Sequence, residues 1–191
     1  MATGLQYLSV KPVRYGTDMH LAYTTSPGRG DMDLVLAGVA DALARRGIRT
    51  CGVVQINSDC DSGRHCDMDV KVLPAGPMFR ISQSLGKDAR GCRLDPHGLE
   101  MAVGATARQL ASGAEVLIVN KFGKQEAEGR GFRDLIAEAL AADMAVIVGV
   151  NGLNREAFLE FCGGEATELL PQVEAITGWI ADAVSSAEAV G

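Results

Sequence analysis

The feature that most constrains this chain is an alternation of short apolar runs with segments of helical periodicity. Cys51 to Ile56, Val116 to Val119 and Ala145 to Val150 are rich in valine and isoleucine. They are too short for helices and carry too little polarity for strands with one wet face, so they read as strands buried on both sides. Between them lie helical patterns. Met32 to Arg46 places Val35, Val39 and Leu43 on one row and Leu36 and Ala40 on the next, and it ends in Arg45-Arg46-Gly47, cations followed by glycine. Asp95-Pro96 opens a second helix, running to about Ser112, with an N-cap and a proline at the first helical position. Gly131 to Ala142, Asn154 to Phe161 and Pro171 to about Ser186 read as further helices. Strands alternating with helices require a parallel sheet covered on both faces, a three-layer α/β domain. Residues 1–18 show no period and read as an N-terminal arm before one domain over 19–191. Met68, Val70 and Val72 alternate with Asp67, Asp69 and Lys71. With Met78 to Ser82 beyond Pro74-Ala75-Gly76-Pro77 they suggest a β-hairpin insertion.

Charge narrows the function classes. The 191 residues carry a net charge of −6 with 5% aromatics. That disfavours nucleic acid and anionic membranes, which need clustered cations or stacking platforms. No apolar run reaches the ~20 residues of a spanning helix, and no secretory signal pattern is visible. Five cysteines, an odd number, suit a reducing cytoplasmic setting. The cations are unevenly placed. Loop 80–93 carries Arg80, Lys87, Arg90 and Arg93 against Asp88, and loop 121–133 carries Lys121, Lys124, Arg130 and Arg133 against Glu126 and Glu128. Residues 156–191 hold seven acids and no lysine or arginine. A basic mouth in an acidic protein suits one small anion, although solvated surface cations would look the same in sequence.

Ligands of open α/β sheets bind beyond the carboxyl ends of the strands. The first such turn is Thr25-Ser26-Pro27-Gly28-Arg29-Gly30-Asp31-Met32, between a strand and an amphipathic helix. This is the position of a phosphate-cradling P-loop, where backbone N–H groups at a helix start favour anions. The side chains depart from G-x-x-x-x-G-K-[ST]: only Gly30 fits, Asp31 stands where lysine would, and Met32 where the Mg²⁺-binding hydroxyl would. Ser26, Gly28, Arg29, Gly30 and Asp31 are therefore candidate anion- or nucleotide-binding residues; the plainer reading makes Asp31 a helix cap and the glycines mere turn formers. The second turn is Asn120-Lys121-Phe122-Gly123-Lys124-Gln125-Glu126. It adds Lys121 and Lys124, with Arg93 from the loop before, as charge donors.

Gly123, Glu126 and Phe132 make the chain resemble the nucleoside triphosphatases related to the thermophilic enzyme once called THEP. In them the strand ends in two acidic residues followed by x-G-x-x-E and a helix-opening phenylalanine. That resemblance implies a P-loop NTPase-type fold over about 19–150. Where it implies the acidic pair that serves metal and water, this chain has Asn120-Lys121. A lysine cannot replace a metal-binding carboxylate, so Mg-nucleotide as a cofactor is doubtful. The chain also resembles an uncharacterised bacterial family of unknown function whose genes tend to lie beside molybdate-transport genes. Ser26 to Asp31, Cys66 to Asp69, Ile81 to Gly86, Gly91 to Asp95 and Asn120 to Glu126 carry that likeness, over about 19–165. It implies a setting in molybdate or tungstate homeostasis.

Three functions follow as expectations. The first is a degenerate P-loop-like protein that binds a small oxyanion or nucleotide phosphates. The second is an active nucleoside triphosphatase with a rearranged site, Glu126 orienting water as the catalytic base. The third is a non-catalytic adaptor or homo-oligomer, with the arm and acidic tail as contact elements. Cys60, His65 and Cys66 have no zinc-site spacing, so no metal site is assigned. Asn151 and Asn154 follow the last strand, and either a ligand's polar edge or a helix cap accounts for them.

Overall fold

A computed structural model describes residues 19–26, 28, 30–57, 67–83 and 93–188. The strands are β1 Leu21–Thr24, β2 Thr50–Asn57, β3 Met68–Val72, β4 Met78–Arg80, β5 Val116–Phe122, β6 Ala145–Val150 and β7 Thr167–Leu169. The helices are α1 Asp31–Arg45, α2 Pro96–Ala111, α3 Lys124–Ala127, α4 Arg133–Ala141, α5 Arg155–Phe161 and α6 Val173–Glu188. One seven-stranded sheet runs in the order β4-β3-β2-β5-β6-β1-β7. The five strands from β2 to β7 pair in parallel, and β3 and β4 add an antiparallel hairpin at one edge. This is the expected three-layer α/β fold with its hairpin insertion.

Alternation along the strands divides the apolar side chains between two helical layers. Met32, Leu36, Val39 and Leu43 of α1 and Ile176 and Ile180 of α6 pack with Ala22, Val116, Ile118 and Ile147 on one face. Leu99 of α2, Leu135 and Ile136 of α4 and Phe158 of α5 pack with Tyr23, Val53, Leu117, Val119 and Val148 on the other. Helix α1 ends as its sequence predicts: Gly47 takes φ 75°, and Ile48 N–H reaches back to Leu43 O at 3.1 Å. Asp95 caps α2, its Oδ1 accepting from His97 N–H at 3.0 Å. Gly52 lies so close to the next strand that a Cβ there would sit 1.9 Å from Ile118 O.

The structure differs from the sequence pattern in four places. Strand β5 continues to Phe122, with its register broken between Asn120 and Phe122, so Asn120 and Lys121 are strand-end residues and not the opening of a turn. A one-turn helix, α3, precedes α4, which starts at Arg133 instead of Gly131. Strand β7, unforeseen, adds to β1; its Thr-Glu-Leu has no apolar run because it lies at the sheet edge. Asp69 is 8% exposed where alternation placed it outward. Arg80 draws it in, its Nε donating to Asp69 Oδ1 at 2.8 Å while Nη1 reaches Asp67 at 2.6 Å.

Candidate functional site

The chain leaves β1 through α1 on one face of the sheet and leaves the neighbouring β6 through α5 on the other. The two connections diverge and open a crevice at the carboxyl ends of the strands, a topological switch point. A cleft of about 720 Å³ lies there. It is lined by Thr25, Ser26, Gly28 and Gly30 from the β1–α1 turn, by Met32 and Asp33 from the start of α1, by Lys121 from β5, and by Asn151, Gly152 and Arg155 after β6.

The turn is built by glycine. Gly30 is the N-cap of α1 at φ 86°, a left-handed conformation in which a side chain would be strained. Asp31 is thus the first helical residue and not the cap. Its carboxylate folds back over Gly28, where a Cβ would lie 1.7 Å from Asp31 Oδ2. The turn therefore already holds a negative group beside the N–H dipoles of the helix start. Asp33, two residues on, is 5% exposed and accepts from Gln55 Nε2 at 3.3 Å.

The cations sort differently from the basic mouth that the loop composition suggests. Lys121 is half-buried and lines the cleft. Lys124 does not line it; it is exposed and pairs with Glu128 at 3.6 Å. Arg130 pairs with the same Glu128, and Arg133 stacks on Phe161 at 4.4 Å while donating to Glu126 O. Arg80 is held by Asp67 and Asp69. Arg93 lies beyond β4, whose chain it rejoins through Gln83 N–H to Arg93 O. That is the sheet edge remote from β1, and Arg93 is not among the cleft residues. Arg29, Lys87 and Arg90 lie outside the described residues, as do Cys60, His65, Cys66 and Cys92.

Glu126 is 2% exposed. Its Oε2 accepts from Gly123 N–H at 2.9 Å and its Oε1 from Phe132 N–H at 3.1 Å. Burial pushes its carboxyl above the usual glutamate range, against the pull of these two amides. The side chain thus staples the start of α3 to the start of α4 and is no part of the cleft lining.

The structure adds residues that sequence reasoning missed. Arg155 Nη2 donates to Tyr23 Oη at 2.9 Å and to Glu168 Oε2 at 3.1 Å. Tyr23 Oη in turn donates to Glu168 at 2.9 Å, and the Tyr23 ring packs on Phe158 at 5.2 Å. The tyrosine bond, Arg155 and Thr25 hold the Glu168 carboxyl below the usual range. Burial and the neighbouring carboxylate push the Tyr23 phenol up. Arg155 is thereby fixed at the cleft wall with other N–H donors to spare. Its one signal in the sequence is its place, five residues past the end of β6 and at the start of a helix. Asn151 Oδ1 accepts from Asn154 N–H and Nδ2, so Asn151 caps the turn and Asn154 is its partner.

Asn120 is 3% exposed, and neither side-chain polar atom has a hydrogen-bond partner among the described residues. It pairs in register with Gly149, whose missing Cβ leaves room for Met32 Sδ, 2.4 Å from where that atom would be. Met32 lines the cleft. The orphaned amide therefore lies on the α1 side of the sheet beneath the cleft floor, next to Lys121.

Residues 21–179 match a family described as a protein of unknown function, DUF2478. The chain belongs to that family. It is 40% identical over 155 residues to the molybdenum import ATP-binding protein ModC 2 of Bradyrhizobium diazoefficiens. The match takes in 81% of this chain but only 17% of that relative. A human cancer-related nucleoside triphosphatase, solved in solution, has the same fold, with a TM-score of 0.55 and 17% identity over 88% of this chain and 97% of that one. Among the described residues no helix is long and apolar enough to cross a membrane, and no cluster of three or more His, Cys, Asp or Glu could hold a metal ion.

Proposed function

We propose that this DUF2478 chain is a degenerate P-loop-like protein that holds a small oxyanion, or the phosphates of a nucleotide, in the β1/β6 cleft without a committed Mg²⁺ site. The observation that carries the reading is convergence: a glycine turn at a helix start, the Lys121 ammonium and the Arg155 guanidinium meet in one cleft at the switch point. Backbone amides and a guanidinium fork both suit tetrahedral oxygens. Lys121 stands at the strand end where a catalytic metal would want a carboxylate. Glu126, with both oxygens engaged by backbone, acts as a loop staple in this reading and not as a base. Similarity to an ATP-binding molybdenum import protein supports an accessory role in molybdate or tungstate handling.

Calorimetry with molybdate, tungstate, phosphate, ATP and GTP, with and without Mg²⁺, tests the proposal. Binding that survives chelation of Mg²⁺ and weakens at least ~10-fold in Lys121→Ala or Arg155→Ala supports it. Absence of binding by all five ligands overturns it.

An adaptor role is the second reading. It is favoured by the match to a small part of a much longer ATP-binding relative, and by Leu34, Leu153 and Leu170, which are 76%, 94% and 66% exposed. Light scattering of the chain alone and mixed with an ATP-binding import subunit tests it; a strict monomer in both cases argues against it.

A further inference from the structure

The cleft is not simply basic. Lys121 and Arg155 are set against Asp33 on its wall and Glu168 holding Arg155 from behind, while Asp31, itself outside the lining, folds its carboxylate over Gly28, which is part of it. A fully deprotonated oxyanion placed at the helix start meets a carboxylate that offers only acceptors. Such an anion must either expel the Asp31 side chain or face it across a short distance. An oxyanion that keeps a hydroxyl at neutral pH can instead donate that hydrogen to the carboxylate while its other oxygens take the backbone N–H groups, Lys121 and Arg155. The buried Asn120 amide, with both polar atoms unmatched among the described residues, is not among the residues that line the cleft and carries no part of this selection.

Resting on the cleft reading above, we propose that Asp31 is a specificity-determining residue. It selects a protonated tetrahedral oxyanion, the hydrogen phosphate group, over the fully deprotonated sulfate and molybdate. A carboxylate in an anion site is a repulsive element as well as an acceptor, and discrimination between near-isosteric ligands needs both. The ligand class is thus inorganic phosphate as the hydrogen phosphate ion; a phosphate monoester has mostly lost its hydroxyl at neutral pH and falls with sulfate and molybdate. On this account any molybdate role of the protein runs through something other than molybdate bound in this cleft.

The experiment is calorimetric titration of the full chain in chelator at neutral pH with phosphate, arsenate, sulfate and molybdate, repeated on Asp31→Asn and Asp31→Ser. Asp31 is exposed at the first helical position, and circular dichroism checks that the variants fold. Loss of a negative charge strengthens every anion, so the readout is the ratio between anions. The expected result is phosphate and arsenate tighter than sulfate and molybdate by at least ~10-fold in the parent, with the ratio falling to within about threefold in both variants. Sulfate or molybdate binding as tightly as phosphate in the parent overturns the inference and leaves the cleft reading standing, as does a preference that survives in both variants. Binding of none of the four overturns the inference, and the cleft reading falls with it only if tungstate, ATP and GTP also fail to bind. Adenosine monophosphate, whose phosphate has mostly lost its hydroxyl at neutral pH, is a further control: it is expected to bind much more weakly than phosphate, and binding as tight or tighter overturns the inference.

Discussion

Replacing Glu126 separates a structural carboxylate from a catalytic one. Glu126→Ala removes the acceptors of two backbone N–H groups, Gly123 and Phe132. The Phe132 bond is buried, and an unsatisfied buried donor costs about 1–3 kcal/mol. The Gly123 bond is only partly buried, so water recovers some of it and the lower end of that range applies. The truncation also leaves a small cavity between α3 and α4. Against this, burial disfavours the ionised form of the native side chain and raises its pKa, and alanine relieves that cost, which offsets part of the loss. The balance is a loss of roughly 2–3 kcal/mol, or about 5–10 °C in Tm for a domain of this size. Urea unfolding followed by circular dichroism measures it. Glu126→Gln retains one acceptor but turns an amide N–H toward a donor, so it falls between parent and alanine. A Glu126→Ala chain within about 0.5 kcal/mol of the parent would refute the staple. So would full stability joined to loss of a phosphate-release activity, which would restore Glu126 as a base.

Gly52→Ala forces a Cβ onto Ile118 O from a φ of +110° and is expected to cost at least about 3 kcal/mol. Gly47→Ala, at φ +75° with open space around it, costs about 1 kcal/mol; equal Tm shifts would contradict the backbone argument. The Cys51 thiol is buried and pushed up to about 12, so a thiol reagent modifies it at the rate of unfolding and not faster. Peptide mapping after brief labelling checks this. The Glu168 carboxyl is held below its usual range, so its stabilising contribution is complete above the ordinary glutamate pKa and is lost as pH falls through the lowered value. Glu168→Gln should flatten the acid limb of stability against pH, and an unchanged limb would exclude the Tyr23–Glu168–Arg155 cluster as its source.

Much of the fold was legible because burial on both faces leaves a strong pattern. Strand β6 and helices α1 and α2 lie within a residue or so of where valine runs, Gly47 and Asp95-Pro96 place them. The turn that brings Ser26, Gly28 and Gly30 to the cleft was legible as a strand-to-helix turn for the same reason, standing between a buried strand and an amphipathic helix. Strand β7 was not, because three edge residues with one polar face carry no periodicity. Loop composition misled about the cations: Arg80, Lys124 and Arg130 are matched by acids a few residues away in the chain or across a hairpin, which a count of charges does not reveal. Arg155 was missed because it opens the helix that follows a different strand, and only the sheet order brings it to the cleft that Lys121 also lines. Glu126 sat in a motif that suggested chemistry, yet its direction is set by Gly123 and Phe132 amides that sequence does not orient.

The central claim is that an anion binds in the β1/β6 cleft without a divalent metal. Amide chemical-shift mapping in chelator tests it most directly, because a chain of 20.1 kDa gives resolved spectra. Titrated phosphate is expected to move the Gly28, Gly30, Met32, Lys121 and Gly152 amides together along one saturating curve, and Lys121→Ala combined with Arg155→Ala to abolish the movement. Shifts clustered elsewhere, such as around Arg93, or shifts that persist in the double variant, would contradict it.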